Sequence, residues 1–293
     1  MSGPDDGRRR MLLTGAGGQL GRVIAQAWAD RVDLTALGRA DLDITNDDAV
    51  ARTVESVRPD LVVNCAAYND VDGAEDAAVE ALDTNAFGVD ALARATAAVD
   101  GVLVHYSTDF VFDGLASSPY TEDARPGPGS VYAASKLLGE WFAAACPRHY
   151  VLRVESLFGG PAARSSVDRI KERLQAGGEA RVFHDRTVSP SYVEDVAQAT
   201  WALVERAAPP GVYHCVNAGA TTWLELGREL NRLLGGRGTL VPVSVDEVPL
   251  RARRPRYAAL ANAKLERLGV RMPTWQDALA RYIMQNGEAA GPA

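Results

Sequence analysis

Tyr132 and Lys136 form the residue pair in this sequence that is best suited to proton transfer. Residues four positions apart on a helix share one face, so the phenol and the ammonium group can point into the same pocket. A nearby ammonium charge favours phenolate and lowers a tyrosine pKa that is ordinarily about 10. Thr108 supplies a hydroxyl group upstream of this pair. Because the spacing alone is common in helices, its meaning depends on the elements around it.

Gly15, Gly18 and Gly21 are spaced three residues apart. They lie between a predicted apolar strand at 11–13 and a predicted helix at 23–28. Strand, glycine-rich turn and helix is the order that makes a dinucleotide-binding motif meaningful. Glycine permits a tight turn and a close backbone approach, and the helix N-terminus attracts the pyrophosphate. The residues of this turn that we expect to bind the cofactor are Gly15, Gly18, Gln19, Leu20 and Gly21.

The end of the second predicted strand, 34–37, indicates which nicotinamide cofactor is used. NAD-specific sites usually carry an acid here, which holds the ribose 2′-hydroxyl. This sequence has no acid between the strand and Asp41, whereas Arg39 could pair with a 2′-phosphate. NADPH is therefore expected, with NADH still possible if Arg39 is only a solvated surface residue or if the site tolerates both. Asp43 and Ile44 are expected to flank the adenine.

The third predicted strand, 61–67, is continuously apolar, as expected for a strand covered on both faces. Open α/β sheets bind ligands at the carboxyl ends of their strands. The small side chains of Ala66 and Ala67 would let a cofactor lie close to the backbone there, and Tyr68 follows them. These three residues are expected to contact the cofactor.

Strands and helices continue to alternate, with a helical region at 74–99, a strand at 102–107, a Pro- and Gly-rich loop at 113–130, the Tyr132 helix and a strand at 150–154. This alternation predicts βαβ units and an α/β fold with a Rossmann-type doubly wound parallel sheet. We expect a disordered tail at 1–10, a dinucleotide-binding domain at 11–155 and a smaller C-terminal substrate-binding lobe at 156–287. Some elements of that lobe would return to the sheet.

Composition and charge restrict the class of protein. The 293 residues carry a formal net charge of -7, which argues against general nucleic-acid binding. No apolar run approaches the roughly 20 residues needed to span a bilayer, and the polar first ten residues lack the apolar core of a secretory signal. Cys65, Cys146 and Cys215 lie far apart and in no metal-ligand spacing. We therefore expect a cytoplasmic protein that binds no metal and is a monomer or a homodimer.

Several motifs together resemble the extended short-chain dehydrogenase/reductases, and more narrowly the dTDP-4-dehydrorhamnose reductase family of sugar-nucleotide 4-ketoreductases. The matching stretches lie at 14–21, 64–68 with 71–75, 105–114, 132–140, 185–191 and 252–255. They span nearly the whole chain. The resemblance implies an NADPH-dependent reduction of the C4 keto group of a dTDP-4-keto-6-deoxyhexose.

The resemblance also implies roles for single residues. Tyr132 would protonate the C4 oxygen, and Lys136 would hold the nicotinamide ribose and depress the tyrosine pKa. Thr108 would hydrogen-bond the keto oxygen, and Asp109 would lie near the sugar. The related dehydratases carry a second acid after this aspartate, whereas this sequence has Phe110, so simple reduction is expected rather than loss of water.

One position departs from the family pattern. The rhamnose-forming enzymes carry a tryptophan that contacts the sugar, and Ser156 stands where it would fall. The change predicts a differently shaped sugar site, so another 4-keto-6-deoxy sugar, such as a precursor of a specialised metabolite or of dihydrostreptose, is a serious alternative. Arg253 and Arg254 are expected to bind the nucleotide diphosphate, unless they only solvate a loop.

Two other functions remain open at this point. A non-catalytic, nucleotide-binding regulatory subunit could share the fold, although it would not need Thr108, Tyr132 and Lys136 together. A sugar-nucleotide epimerase would return its hydride to the same sugar and would release no oxidised cofactor.

Overall fold

The computed structural model of the chain describes residues 7–161 and 165–288. Their strands are β1 (Arg9–Thr14), β2 (Val32–Leu37), β3 (Leu61–Asn64), β4 (Val102–Thr108), β5 (His149–Val154), β6 (Leu157–Phe158), β7 (Glu179–Phe183), β8 (Thr187–Val188), β9 (Ser191–Tyr192), β10 (Gly211–His214), β11 (Thr221–Thr222) and β12 (Thr239–Val243). Their α-helices are α1 (Gln19–Trp28), α2 (Asp47–Val57), α3 (Ala78–Leu82), α4 (Gly88–Ala98), α5 (Val131–Ala143), α6 (Ser166–Gln175), α7 (Val193–Glu205), α8 (Trp223–Leu233), α9 (Ala263–Arg267) and α10 (Trp275–Glu288). Single 3-10 turns occupy Gly73–Glu75, Asp109–Val111 and Val245–Glu247, and a π-helical turn occupies Asp83–Phe87.

Six strands form one sheet in the order β10-β5-β4-β3-β1-β2. The strand β1 pairs in parallel with β2 and with β3, and β3 pairs in parallel with β4. Because the strand order reverses beside β1, the sheet is doubly wound, and the Rossmann-type prediction is confirmed. None of the helices within the described residues is long and apolar enough to cross a membrane.

The chain divides into two compact units. Unit 1 consists of the described residues up to Ser107, with Ser130–Leu152 and Pro209–Val212. Unit 2 consists of Thr108–Gly129, the described residues of Arg153–Ala208 and those from Tyr213 onward. The boundary between the units falls inside β4, directly before Thr108. The segment 108–129 belongs to unit 2, although in the sequence it lies between two segments of unit 1.

Each unit has its own apolar core. In unit 1, fully buried side chains of β1, β3 and β4, such as Leu12, Val62 and Leu103, pack with Val50 and Leu92 from the helices. In unit 2, the rings of Phe158 and Tyr192 stack, and Tyr282 of α10 packs edge-on against Phe158 in the same cluster. Burying each such side chain contributes on the order of 2 kcal/mol, so each unit has a substantial core of its own.

Several elements differ from the sequence-based expectation. The strand β1 begins at Arg9, two residues earlier than expected and inside the predicted tail, because Arg9 and Arg10 pair with Val32 and Asp33. Residues 1–6 lie outside the described residues. The helical region expected at 74–99 is interrupted, since a 3-10 turn, α3, the π-helical turn and α4 follow one another there. The Pro- and Arg-rich stretch at 241–257 begins inside a strand, β12, which pairs in parallel with β7.

The turn between β1 and α1 requires glycine at two positions. Gly15 has a φ of +67°, and a Cβ there would overlap the backbone of Ala66. A Cβ at Gly21 would overlap the carbonyl oxygen of Gly15. At Gly17, by contrast, a Cβ would meet no atom within 4 Å. The close approach of the turn to the backbone after β3 therefore depends on Gly15, and its close approach to α1 depends on Gly21.

Replacing Gly21 with Ala should lower the free energy of unfolding by about 1–3 kcal/mol, because the added methyl group forces the turn away from α1. The matched variant Gly17→Ala should change it by less than about 1 kcal/mol, since its Cβ enters open space. Urea unfolding of the cofactor-free chain measures both. Equal losses in the two variants would contradict this account of the turn.

Candidate active site

The residues predicted to bind the pyrophosphate of the cofactor lie in unit 1, around the N-terminus of α1. Gly18 occupies the position before this helix in an extended conformation, and no side chain caps the helix there. The Gly18 N–H donates to the Gly15 carbonyl oxygen over 3.0 Å and closes the turn. The helix N-terminus and the glycine backbone together fit a pyrophosphate group. Gln19 and Leu20 form the first residues of α1, with Gln19 half-buried and Leu20 buried.

The predicted adenosine-side residues lie just beyond β2. Arg39 is exposed two residues after the strand ends, and the nearest carboxylates of this segment are Asp41 and Asp43. The Asp41 carboxylate accepts a hydrogen bond from the Gly38 N–H over 2.9 Å. Hydrogen bonds from the backbone and side chain of Thr45 hold the pKa of Asp43 below its ordinary value. The exposed Arg39 guanidinium group interacts electrostatically with Asp43. Ile44 is buried behind this segment.

A row of buried polar groups crosses the carboxyl ends of β1, β3 and β4. Thr14 donates to the Asn64 amide oxygen over 2.7 Å, and the Asn64 amide nitrogen lies 3.1 Å from His105 Nδ1. The same Asn64 oxygen accepts from the Ala66 N–H over 3.0 Å. The last of these bonds fixes the backbone at Ala66, because β3 ends at Asn64, three residues earlier than the expected strand at 61–67. The role of Asn64 in this row was not predicted, although its place at the end of an apolar run was a usable signal.

The helix α5 carries Tyr132 and Lys136 and begins at a well-defined cap. The Ser130 hydroxyl accepts from the Ala133 N–H over 3.2 Å, and a Glu75 carboxylate oxygen accepts from the Val131 N–H over 2.9 Å. Such caps satisfy amide groups that the first helical turn leaves without a partner. The cap therefore sets where the first turn of α5, and Tyr132 within it, begins.

Lys136 is buried, and its ammonium group donates to the Tyr106 carbonyl oxygen of β4 over 2.6 Å. Burial lowers the pKa of Lys136 to about 8, although Glu140 and Cys65 act in the opposite direction. Tyr132 is also buried, four residues earlier on the same face of the helix. A partly desolvated ammonium group on the same face is the environment that eases proton release from a phenol.

Two residues that support α5 were missed in the sequence. The Ser107 hydroxyl donates to Glu140 over 2.6 Å, which ties the end of β4 to the helix. Asn85, in the π-helical turn, donates to the Ser135 hydroxyl and to the Tyr68 carbonyl oxygen, both over 3.0 Å. Such roles depend on contacts between elements that are distant in sequence, so no local pattern could indicate them.

Thr108 and Asp109, which are predicted to contact the substrate, lie in unit 2. Thr108 ends β4, and its hydroxyl accepts from the Phe110 N–H over 3.2 Å and donates to Asp109 over 2.9 Å. Asp109 is 2% exposed and lies 3.9 Å from the Arg186 guanidinium group. Burial raises the pKa of Asp109 to about 6, although Arg186 opposes the shift.

Ser156 follows β5 with a φ of +47°, a left-handed conformation that is uncommon for a residue other than glycine. Its neighbour Glu155 is buried, and one Glu155 oxygen accepts from the Ser189 N–H over 2.6 Å. The structure therefore turns the Ser156 backbone sharply at the place where the family pattern has tryptophan. Glu155 and Arg186 were not predicted as site residues.

Arg253 and Arg254 line a cavity of about 310 Å³ in unit 2, together with Arg256, Asp113 and Asp246. Arg253 is exposed, whereas Arg254 is half-buried and its guanidinium group lies 5.8 Å from the centre of the Phe110 ring. Arg256 forms ion pairs with Asp185 and Asp246, so its charge is already balanced. Arg253 interacts electrostatically with the Asp113 carboxylate of the same cavity.

A family model described as RmlD substrate binding domain matches residues 9–287. The chain belongs to this family. The resemblance that the sequence motifs indicated is thereby confirmed, and the family match covers both units.

Curated relatives agree with this assignment. The chain is similar to the dTDP-4-dehydrorhamnose reductase of Mycobacterium tuberculosis, with 39% identity over 94% of this chain and 92% of that protein. It is also similar to the enzyme of the same name from Burkholderia thailandensis, with 36% identity over 94% of this chain and 98% of that protein.

Solved structures of the family have the same fold. A dTDP-4-dehydrorhamnose reductase from Bacillus anthracis, solved in complex with NADP, matches with a TM-score of 0.91 and 31% identity over 95% of this chain and 99% of that chain. A dTDP-4-dehydrorhamnose reductase from Clostridium acetobutylicum matches with the same TM-score and 34% identity, over 94% and 99% of the two chains.

Replacing Lys136 with Met should change how the stability of this RmlD-family chain depends on pH. Between pH 8 and 10.5, the unfolded chain keeps the Lys136 proton that the folded chain has lost, so this group makes the wild type more stable as pH rises. The Met variant lacks this contribution. The free energy of unfolding of the wild type relative to the variant should rise by about 2 kcal/mol between pH 7.5 and 9.5. Urea unfolding at both pH values measures it, and a pH-independent difference would contradict the lowered pKa.

Proposed function

We propose that this chain uses NADPH to reduce the C4 keto group of a dTDP-4-keto-6-deoxyhexose, as a dTDP-4-dehydrorhamnose reductase does. The observation that carries the proposal is the buried Tyr132 and Lys136 on one face of α5, in a chain that belongs to the RmlD family. The relatives named dTDP-4-dehydrorhamnose reductase support the substrate class.

NADPH, when bound, supplies the hydride that adds to the C4 carbon. The turn at 15–21 would hold its pyrophosphate, because only glycine fits at Gly15 and Gly21 and no side chain blocks the N-terminus of α1. Arg39 would bind the 2′-phosphate. The complex of the Bacillus anthracis relative with NADP supports this choice. The remaining contacts that we propose for the cofactor are made by Gly18, Gln19, Leu20, Asp43, Ile44, Ala66, Ala67, Tyr68, Tyr132 and Lys136.

Tyr132 would donate its phenolic proton to the C4 oxygen as negative charge develops there. General acid catalysis of this kind contributes roughly 10²–10⁴-fold in rate. Lys136, held by the Tyr106 carbonyl oxygen, keeps a positive charge on the face of α5 that carries this phenol and would stabilise the phenolate that remains. Thr108 would donate a hydrogen bond to the same keto oxygen and orient it.

The residue after Asp109 favours reduction over dehydration. Phe110 places an aromatic ring where an elimination would need a second acid, and the Arg186 guanidinium group lies 5.3 Å from the centre of that ring. Without an acid at position 110, the local chemistry is that of a ketone reductase.

Ser156 bears on which deoxysugar the enzyme reduces. Ser156 replaces an aromatic wall by a small hydroxyl group, which would leave room for a differently substituted ring. A probable dTDP-4,6-dihydroxy-2-methyloxan-3-one 4-ketoreductase from Streptomyces antibioticus is 37% identical over 92% of this chain and 93% of that protein, which supports a specialised deoxysugar as the substrate. Arg253 and Arg254 would bind the diphosphate of the nucleotide at the cavity described above.

We further propose that the enzyme acts in the cytoplasm as a monomer or a homodimer and binds neither nucleic acid nor membranes. Its net charge of -7 supports this, because a polyanion would repel it. Its free thiols, Cys65, Cys146 and Cys215, fit a reducing compartment.

Replacing Tyr132 with Phe should reduce kcat for a 4-keto sugar nucleotide by at least about 100-fold, because the proton donor is removed. The Kd for NADPH should change little, since the ring and the Lys136 ammonium group remain. Oxidation of NADPH across a panel of dTDP-4-keto-6-deoxy sugars measures the first quantity and fluorescence titration the second. Tyr150→Phe removes a hydroxyl from a buried β5 tyrosine and is the matched control. Full activity of Tyr132→Phe, or no turnover of any sugar by the wild type, would overturn the proposal.

Replacing Arg39 with Ala should raise the KM for NADPH by about 10- to 100-fold, because a charge-assisted bond to the 2′-phosphate is lost. The KM for NADH should stay within about twofold of the wild-type value. Arg52→Ala, which removes an exposed arginine of α2, is the matched control and should affect neither. If Arg39→Ala raised the KM for NADPH and the KM for NADH equally, Arg39 would not be the residue that binds the 2′-phosphate.

A further inference from the structure

The Phe110 ring lies against two guanidinium groups of unit 2. The Arg186 guanidinium carbon is 5.3 Å from the centre of this ring, and the Arg254 guanidinium carbon is 5.8 Å from it. Both distances fall within the roughly 6 Å over which the negative face of an aromatic ring attracts a cation. One ring therefore makes favourable contacts with two positive charges.

The two guanidinium groups are close enough to influence each other. Burial lowers the pKa of Arg186, Asp109 and Glu155 oppose this shift, and the charge of Arg254 adds to it. Like charges repel, so neighbouring groups must offset the repulsion. The Asp109 carboxylate, 3.9 Å away, does so for Arg186, and the Phe110 ring contributes to both arginines.

The ring and Arg186 are fixed independently of Arg254. Phe110 lies in the 3-10 turn that follows β4, and its N–H donates to the Thr108 hydroxyl over 3.2 Å. Arg186 is buried, and its Nε donates to the Pro255 carbonyl oxygen over 3.1 Å. The ring is thus a rigid surface for a second guanidinium group.

The backbone on both sides of Arg254 is held against the segment that follows Phe110. Gly114 has a φ of +77°, and a Cβ there would overlap Pro255. The Tyr257 N–H donates to the Gly114 carbonyl oxygen over 3.2 Å. Arg254 Nη1 donates to the Ala252 carbonyl oxygen over 3.0 Å. These contacts leave the outer part of the Arg254 side chain as the part that the ring positions.

Arg254 also lines the cavity of about 310 Å³ together with Arg253 and Arg256. It is half-buried, whereas the other two are exposed. A planar guanidinium group can bind two phosphate oxygens at once. When such a side chain is already held in place, less of its conformational freedom is lost as an anion binds. A contact that holds Arg254 should therefore strengthen the binding of an anion in this cavity.

We propose that Phe110 is a positioning residue for the nucleoside diphosphate and acts through Arg254. Its ring offsets the repulsion between Arg186 and Arg254 and holds the Arg254 guanidinium group at the cavity. This inference rests on the proposed function, in which Arg254 binds the diphosphate. It gives position 110 a role beyond the lack of a second acid, because an aliphatic residue would lack the acid equally well but could not attract a guanidinium group.

The test measures the Kd for dTDP by calorimetry in the wild type and in two variants of Phe110. Phe110→Leu removes the ring and should raise the Kd about three- to tenfold, which corresponds to the loss of a cation–π contact of moderate strength. Phe110→Tyr keeps the ring and should stay within about twofold of the wild type. In the presence of Arg254→Gln, Phe110→Leu should have no further effect on the Kd.

Fluorinated phenylalanines at position 110 separate the charge of the ring from its size. Each fluorine atom withdraws electron density from the ring face, so the Kd for dTDP should rise stepwise as one, two and three fluorine atoms are added. Phe183→Leu, at another half-buried phenylalanine of unit 2, is the matched control and should leave the Kd within about twofold. A Kd that does not depend on the number of fluorine atoms would overturn the proposal, because packing alone gives that result.

Steady-state kinetics separate this role from one in the reaction. Phe110→Leu should raise the KM for the keto sugar nucleotide by a similar factor and leave kcat within about twofold. A lower kcat with an unchanged KM would overturn the proposal even in an active reductase. If the wild type reduces no keto sugar but its Kd for dTDP follows the fluorine series, the proposed reaction fails and the role of Phe110 stands. A wild type that does not bind dTDP would overturn both.

Discussion

The hydrogen bond from the Lys136 ammonium group to the Tyr106 carbonyl oxygen joins α5 to β4, and the placement of the Tyr132 and Lys136 side chains depends on it. A buried ammonium group is expensive, and the cost shows in a pKa lowered to about 8. The group remains in place because α5 is held on several sides. Glu75 and Ser130 fix its first turn, and Asn85 bonds its middle through Ser135. The cap and the buried amide therefore position the helix that carries the proposed proton donor, Tyr132.

A comparable constraint governs the part of unit 2 that follows β4. Phe110 removes the acid that a dehydratase would place there, but Glu155 brings a second carboxyl group to Asp109 from a distant part of the sequence. Its position differs in effect from an acid at 110, because Glu155 is buried, bound to the Ser189 N–H and close to a single guanidinium group. Such a carboxyl group holds a proton rather than attacking a substrate. The cluster thus places two buried carboxyl groups and a buried guanidinium group in the same unit as Thr108.

Local patterns in the sequence predicted much of unit 1. The glycine spacing before α1, the apolar run of β3 and the helix that carries Tyr132 all follow from short-range rules. The structure has each of these elements, although β3 ends at Asn64 rather than at residue 67. The helix α2 was not predicted, although Asn46 caps it and Asp47 and Asp48 occupy its first turn, which are recognisable start signals. The sequence therefore contains the signals that indicate where α2 begins.

Other features could not be read from local pattern. The interruption of the helical region after Ala74 depends on Asn85, whose side chain bonds Tyr68 and Ser135 from within a π-helical turn. The strand β12 contains Pro242, which argues against a strand, and it forms because β7 provides a parallel partner. Arg186 and Glu155 lie far from Asp109 in the sequence, so only packing brings the three charges together. Long-range contacts of this kind have no signature within any short window.

The central claim, that hydride moves from NADPH to the C4 carbon of a dTDP-linked keto sugar and stays there, is tested most directly by isotope transfer. The chain would be incubated with a dTDP-4-keto-6-deoxyhexose and NADPH carrying two deuterium atoms at C4 of the nicotinamide. Mass spectrometry and NMR of the product should find one deuterium at C4 of the sugar, with one equivalent of oxidised cofactor for each sugar reduced. A product without deuterium, or an isomerised sugar formed with no net oxidation of the cofactor, would contradict the account.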